Sequence, residues 1–128
     1  MVVDFGTALT FSTVNSKGEV LGVAIAPGLV TAVNSLFGST AQLPQVELKL
    51  PNTVIGRDSM TSIRAGIMEG FAGMVETIIR KTEEETGSPL YVMATGGLSS
   101  TISKIIPRID ELDTLITLKG LGLIASLN

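Results

Sequence analysis

The chain has 128 residues, of which 45% are hydrophobic and 16% are charged, and its formal net charge is −3. These values predict one folded domain with a mainly aliphatic core, and the acidic balance argues against nucleic acid as a partner. The chain contains no cysteine and no histidine, which excludes disulfides, thiolate nucleophiles, serine–histidine–aspartate catalysis and imidazole metal sites within it.

The first part of the chain is predicted to form β-strands. Valine, threonine and phenylalanine dominate Val2–Val14, a glycine-containing turn follows at Ser16–Glu19, and the apolar segment Val20–Ala26 returns as a second strand. This order predicts a hairpin, which the dipeptide Pro27–Gly28 ends. The apolar spacing of Leu29–Phe37 then predicts a helix.

No segment of the sequence has the pattern of a membrane span or a signal peptide. The longest apolar stretch, Val20–Val30, is far shorter than the roughly 20 residues that a spanning helix requires. Asp4 interrupts the amino terminus, and no basic region precedes an apolar run there. We therefore expect a soluble, cytoplasmic protein that does not bind a membrane.

The connector over residues 38–58 contains Pro44 and Pro51 and shows no sustained period. It is predicted to be an ordered loop with a short edge strand at Val46–Leu50.

A long helix is predicted from Ser59 to Thr86, with Asp58 or Ser59 as its cap and Gly87 at its end. An apolar stripe is expected to face the core, formed by Ile63, Ile67, Phe71, Met74, Val75 and Ile78. Three glycines run beside it, namely Gly66, Gly70 and Gly73. Each costs about 1 kcal/mol relative to alanine, so their presence predicts close approach by another backbone. The acidic run Glu83–Glu85 is expected to be a solvated face without chemistry.

The last part of the chain is predicted to begin with a buried strand at Leu90–Thr95, because this apolar segment shows no polar alternation. A helix over Ser100–Ile106 is expected to stop at Pro107. The mostly apolar segment Leu115–Asn128 predicts a last helix packed on the sheet. Strands, helices and a strand-to-helix step together predict an α/β fold.

The stretch from Asp4 to Thr7 is the first candidate site. Backbone N–H groups at a turn with Gly6 and the Thr7 hydroxyl can hold phosphate oxygens, and the Asp4 carboxylate can hold a cation that bridges to them. The alternative is a strand aspartate paired with a backbone group beside a bulge.

Two further stretches allow a functional and a structural interpretation. Gly96–Gly97, between a buried strand and a helix start, leave N–H groups open to an anionic or flat ligand, or simply form a tight turn capped by Ser99. Ser59, beside the start of the long helix, can donate to a polar substrate or only cap the helix.

The order of these motifs is more informative than any one of them. VVDFGTALTF, VLGVAIAPGL, LPQVEL, VIGRDSMTSIRAGIMEG and ATGGLS follow one another along the chain. In this order and spacing they resemble the C-terminal half of type III pantothenate kinases, members of the actin-like ATPase and sugar-kinase superfamily. The resemblance extends from Val2 to about Leu123.

The resemblance implies a ribonuclease-H-like α/β fold and phosphorylation of pantothenate by ATP with Mg²⁺, the first committed step towards coenzyme A. It implies that Asp4 is a ligand of a monovalent cation, potassium or ammonium. Gly6 and Thr7 match the family's second phosphate-binding motif and would face the ATP phosphates. Gly96 and Gly97 match its adenosine-side motif.

The resemblance also assigns roles to the long helix. Ser59 falls where the family usually has threonine after asparagine, a residue that contacts pantothenate. Asp58 would add negative charge near that carboxylate substrate. The helix Ser59–Thr86 looks like the family's dimerisation helix, which would account for its three glycines and implies a homodimer.

Family members begin with another domain of comparable size, which carries a first Asp-x-Gly-Asn-Thr phosphate motif and a Gly-Ala-Asp-Arg segment whose aspartate is the catalytic base. Neither motif occurs in this sequence. We therefore expect residues 1–128 to form one domain resembling the C-terminal domain of the family, with the N-terminal domain absent. We assign it no catalytic residue and expect little or no kinase activity from it alone. A separate N-terminal half is an expected partner.

Two alternatives remain open. The chain could be a non-catalytic nucleotide-binding or dimerisation module derived from the kinase, or an unrelated α/β domain whose motifs agree by accident. An unrelated domain would leave Thr7 and Gly96–Gly97 on opposite faces of the sheet, whereas a kinase half requires them to converge on one nucleotide.

Overall fold

A computed structural model describes residues 1–39 and 46–127. Within these ranges the chain forms a five-stranded mixed sheet. Its strands are β1 (Val2–Phe5), β2 (Ala8–Val14), β3 (Val20–Pro27), β4 (Met93–Thr95) and β5 (Glu111–Leu112). The helices are α1 (Leu29–Ser39), α2 (Ser59–Thr86), α3 (Ser99–Ile102), which a 3₁₀ turn (Ser103–Ile105) continues, and α4 (Ile116–Ser126). The predicted α/β class is confirmed.

Strand β1 lies at the centre of the sheet, whose order is β3-β2-β1-β4-β5. It pairs antiparallel with β2 and parallel with β4. In this register Asp4 lies between Thr10 on one side and Thr95 on the other. The carboxyl end of β1 therefore lies beside the carboxyl end of β4, which is where the candidate motifs are.

The segment Val2–Val14, predicted as one strand, forms two, because the chain reverses at Gly6 and Thr7. Phe5 pairs with Leu9, so three residues lie between the paired positions. Paired residues are therefore an even number of positions apart, and the residues that face the core stay odd-numbered in both strands. The residues buried on the core face are accordingly all odd-numbered, namely Val3, Phe5, Leu9, Phe11 and Thr13. An alternation that continues through the turn looks like one long strand in the sequence.

The bounds of α2 agree with the prediction, and both of its ends are capped. The Asp58 carboxylate accepts a hydrogen bond from the Thr61 N–H at 2.8 Å. The helix ends at Gly87, whose φ of 67° lies in the left-handed region that glycine tolerates. Asp58, and not Ser59, is therefore the cap.

The face of α2 that packs on the sheet differs from the predicted stripe. Its buried residues are Ala65, Met68, Phe71, Ala72, Val75 and Ile79. Of the predicted stripe only Phe71 and Val75 are buried, and the other four residues are half-buried at its margins. The buried face thus includes the small Ala65 and Ala72, which the predicted stripe left out, whereas Ile63, Ile67 and Ile78 lie at its margins.

Two of the predicted elements are different in the structure. Val46–Leu50 has no strand pairing, and residues 40–45 of the connector, with Pro44, lie outside the described residues. The closing segment is helical, but α4 has no buried residue and is not packed on the sheet. A pattern of apolar residues predicts a helix, but it does not show which surface covers the apolar face of that helix.

Glu83 is not the solvated residue that the acidic run predicts. Its Oε1 accepts a hydrogen bond from the Arg108 guanidinium at 2.6 Å and one from the Leu90 N–H at 2.9 Å. The hydrogen bond from Arg108 and, to a smaller extent, the one from Leu90 lower the pKa of the Glu83 carboxyl. The residue ties the end of α2 to the segments that flank β4.

The glycines of α2 are exposed, and no atom of the chain would lie within 4 Å of a Cβ placed on Gly66, Gly70 or Gly73. The predicted close approach of a backbone therefore does not occur among the described residues. None of the described helices is both long and apolar enough to cross a membrane.

Candidate functional site

The turn after β1 and the turn after β4 are in direct contact. Gly96 has a φ of +96°, and a Cβ atom built on it would lie 2.5 Å from Oδ1 of Asp4 and 2.6 Å from the carbonyl carbon of Phe5. Only a residue without a side chain fits this position. The pairing of Asp4 with Thr95 sets the contact, because it places Gly96 directly beside the end of β1.

The Asp4 carboxylate lies between these two turns. A Cβ on Gly6 would lie 3.4 Å from its Oδ1, and one on Gly96 still closer. Asp4 is half-buried, and within residues 1–39 and 46–127 no N–H or side chain donates a hydrogen bond to it. Its oxygens therefore lie beside the turns with no hydrogen-bond donor among these residues.

The start of α1 completes this group of residues. The Gly28 N–H donates a hydrogen bond to the Thr7 carbonyl oxygen at 3.0 Å, and the Thr31 hydroxyl donates one to the same oxygen at 2.8 Å. We call Asp4, Gly6, Thr7, Gly28, Thr31, Gly96 and Gly97 the turn cluster. Its members come from three separate parts of the sequence and lie at the edge of the sheet where β1 and β4 end.

The turn cluster opens to solvent. Thr7 and Gly97 are exposed, and Gly6 and Gly96 are half-buried. A groove of about 560 Å³ adjoins it, lined by Leu98 and by Val30, Val33, Asn34 and Phe37 of α1. An anionic group can therefore reach the backbone at the turns while a flat apolar group enters the groove.

Ser59 does not join the turn cluster. It is exposed at the first position of α2, and among the described residues no hydrogen bond links it to Asp4, Thr7 or Gly96. The last turns of α2, at Thr82 and Thr86, line a cavity with Thr13 of the β2–β3 hairpin. The last turns of α2 therefore lie near the β2–β3 turn, at the opposite end of β2 from Gly6 and Thr7.

The carboxylates of this chain do not make a multidentate metal centre. Among the described residues, no three acidic side chains come close enough to hold one ion. Asp4 is a single carboxylate, next to the backbone oxygens of a turn. One carboxylate suits a cation whose other ligands are backbone carbonyls, water and substrate phosphates, as is common for magnesium and for monovalent cations.

Sequence reasoning missed the roles of Gly28 and Thr31. Pro27–Gly28 was interpreted only as the end of a strand. A Cβ on Gly28 would lie 2.2 Å from the Gly6 carbonyl oxygen, which no one-dimensional pattern reveals. The available signal was the position of Thr31, which follows Gly28 within the first turn of a helix, where a short hydroxyl can reach a neighbouring chain segment.

Comparisons with known proteins give a consistent picture. A family model described as type III pantothenate kinase matches residues 1–81. The chain is 46% identical to the type III pantothenate kinase of Moorella thermoacetica and 43% identical to that of Syntrophus aciditrophicus, each over 128 residues. Both alignments cover 100% of this chain and 50% of the relative. The chain thus spans about half the length of these curated relatives and corresponds to their C-terminal half.

A solved structure supports the fold. A protein from Campylobacter jejuni, described as a conserved Baf family transcriptional activator, superposes with a TM-score of 0.67 at 21% sequence identity. The match covers 99% of this chain and 57% of that one. On the family model and the sequence relatives, the chain belongs to the type III pantothenate kinase family.

Proposed function

We propose that this chain is the ATP-binding half of a pantothenate kinase and acts in phosphoryl transfer together with a half that carries the catalytic base. The observation that carries the proposal is the direct contact of Gly96 with Asp4 and Phe5, which brings the phosphate motif and the adenosine-side motif to one edge of the sheet. Residues 1–128 form one domain in this proposal. The antiparallel β1–β3 followed by parallel β4 and β5 is the arrangement expected of a ribonuclease-H-like fold.

ATP would lie across the turn cluster. The Thr7 hydroxyl and the N–H groups of the Gly6–Thr7 turn would donate to phosphate oxygens. Gly96 and Gly97 have no side chains to block the approach of adenosine, and the groove beside Leu98 offers apolar surface to the base. Each part of the nucleotide would thereby meet a surface of matching polarity.

Asp4 would hold a cation beside these phosphates. Its half-buried carboxylate accepts no hydrogen bond from the described residues, and it lies within reach of the Gly6 turn. A monovalent ion, potassium or ammonium, or the Mg²⁺ that accompanies ATP would neutralise phosphate charge there. The role of this chain is to hold the charge of the nucleotide in place, which is most of what an enzyme contributes to phosphoryl transfer.

Ser59 would contact pantothenate from the first turn of α2. The adjacent Asp58 carboxylate is held in its charged form, because the hydrogen bond from the Thr61 N–H lowers its pKa. A negative charge next to the position of a carboxylate substrate is unfavourable, so we expect weaker pantothenate binding than with asparagine at position 58.

The partner of this half would cover the apolar side chains of α4. Leu118, Leu121 and Ile124 recur at three-residue intervals and are 63%, 57% and 59% exposed. Contiguous apolar residues of this kind mark interaction surfaces, and the relatives contain a second half of about equal length. A homodimer would use the other exposed face, the glycine stripe of α2.

Calorimetry with a non-hydrolysable ATP analogue and magnesium, in potassium chloride and then in sodium chloride, tests the proposal. We expect binding in potassium, and loss of about tenfold or more of the affinity in Thr7→Val. Thr114→Val, the same change at an exposed turn residue before α4, serves as the matched control. Adding the N-terminal half of the Moorella thermoacetica relative should produce pantothenate-dependent release of ADP. No binding and no complementation would refute the proposal.

A non-catalytic module is the second candidate. The open glycine stripe of α2 favours it, since an exposed stripe of this kind is compatible with self-association alone. Nucleotide binding without any complementation by an N-terminal half would support this candidate.

A further inference from the structure

The Thr7 carbonyl oxygen is held from the side of α1 by two donors. The Gly28 N–H and the Thr31 hydroxyl both donate to it, at 3.0 Å and 2.8 Å. Gly28 is buried, whereas Thr31 is exposed and its main chain belongs to α1. The Thr31 hydroxyl thus bonds to a segment 24 positions earlier in the chain and links α1 to the turn after β1.

The close approach of Gly28 also fixes the orientation of the peptide group between Gly6 and Thr7. A Cβ on Gly28 would lie 2.2 Å from the Gly6 carbonyl oxygen and 2.5 Å from that of Thr7. Both carbonyl groups therefore face the start of α1. All described peptide bonds are trans, and in a planar trans peptide the N–H points opposite to the C=O. The N–H groups of Thr7 and Ala8 consequently point away from Gly28.

We propose that Thr31 and Gly28 are positioning residues for nucleotide phosphate, because they fix the peptide groups of Gly6–Thr7 so that their N–H groups face the ligand. The inference rests on the proposed function, in which this turn binds the ATP phosphates. A turn held by two donors does not need to reorganise on binding, and such preorganisation strengthens binding of an anion. Thr31 itself touches no ligand atom in this arrangement.

The experiment measures binding of magnesium ATP and of adenosine to the 128-residue chain. Thr31→Val removes the hydroxyl and keeps the shape, and Thr31→Ser restores the donor. We expect Thr31→Val to weaken ATP binding by about threefold to tenfold, the effect of one hydrogen bond. Adenosine has no phosphate, so its affinity should not change. Thr31→Ser should bind both ligands like the unaltered chain, and Thr114→Val controls for the same substitution at an exposed position outside the turn cluster.

The outcomes separate this inference from the proposed function. Unchanged ATP binding in Thr31→Val, with binding by the unaltered chain intact, overturns the positioning role alone. Equal loss for adenosine and ATP also overturns it, because that pattern indicates a general structural effect.

If the unaltered chain binds no ATP, the proposed function fails and the backbone amide signals of Thr7 and Ala8 decide. Shifted signals and faster hydrogen exchange in Thr31→Val, restored in Thr31→Ser, support the positioning role. Signals that stay unchanged in Thr31→Val overturn it.

Discussion

Two groups of glycines in this chain occupy opposite surroundings. At Gly28, Gly56 and Gly96, an added Cβ would lie 2.2 Å, 2.3 Å and 2.5 Å from the nearest atom of the chain. At the three glycines of α2 the same atom would meet nothing within 4 Å. In the first group, neighbouring atoms of the chain leave no space for a side chain. The second group has no such restriction among the described residues.

The largest effect is expected at the strand ends. In Gly96→Ala the added Cβ would lie 2.6 Å from a backbone atom of Phe5, at a residue whose φ is positive. We expect a loss of about 3 kcal/mol or more in the free energy of unfolding. Gly97→Ala, with no atom within 4 Å of its Cβ, is the matched control and should change stability by less than about 1 kcal/mol. Urea unfolding measures both. Equal stability of the two variants would contradict the contact of Gly96 with β1.

Gly28→Ala is expected to have the next largest effect. Its Cβ would collide with the Gly6 and Thr7 carbonyl oxygens, so the turn has to move, at a cost of about 1–3 kcal/mol. The displaced turn should also bind ATP more weakly. Far-ultraviolet circular dichroism checks that the fold survives, and calorimetry measures the affinity. A variant with unaltered stability and affinity would remove Gly28 from the turn cluster.

On α2, a glycine-to-alanine substitution is expected to increase folding stability instead of reducing it. Gly70→Ala should stabilise the monomer by about 0.5–1 kcal/mol, because alanine is the better helix former and space is free at this position. If the stripe is a homodimer interface, the same substitution should weaken self-association in sedimentation equilibrium. Glu76→Ala, at an exposed site on the same helix, is the control. A Gly70→Ala variant that associates as before would mean that the stripe is not the interface.

The smallest effect is expected at the end of α2, away from both groups of glycines. The pKa of Glu83 lies below its ordinary value of 4.5, so its bonds to Arg108 and Leu90 stabilise the fold above that pH and are lost as the pH falls through the lowered pKa. Glu83→Gln should reduce the melting temperature at neutral pH, and the difference should shrink as the pH falls below 4.5 and vanish once the pH is below the lowered pKa. Nucleotide affinity should not change. A melting temperature difference that persists in acid would contradict this role.

Local signals in the sequence predicted α2 well. Asp58 and Gly87 set its ends through bonds that span three or four residues, and the bounds agree with the prediction. The Leu29 start of α1 was equally clear, because Pro27 and Gly28 interrupt the strand before it. The buried face of α2 was predicted about one position away from the true one, because the predicted stripe followed the large apolar residues and left out the buried Ala65 and Ala72.

The candidate site was only partly visible. Asp4, Gly6, Thr7, Gly96 and Gly97 were selected from the sequence, and the structure brings these five together, while no hydrogen bond among the described residues links Ser59 to them. Gly28 and Thr31 were not selected. Their contacts join segments that are distant in sequence, and such contacts depend on strand pairing, which residue patterns specify weakly.

The sequence by itself determined the family, the α/β class and the ends of the long helix, because motif order and capping bonds are properties of short stretches of chain. The tertiary structure decided that Val2–Val14 reverses at Gly6–Thr7, that Gly96 meets Asp4, and that α1 holds the Thr7 carbonyl. The first two follow from the register of β1 between β2 and β4, and the third follows from the pairing of Ala8 with Pro27 at the end of β2 and β3. Burial of Val3 and Phe5 against the helices fixes that register, and burial is a property of the whole fold.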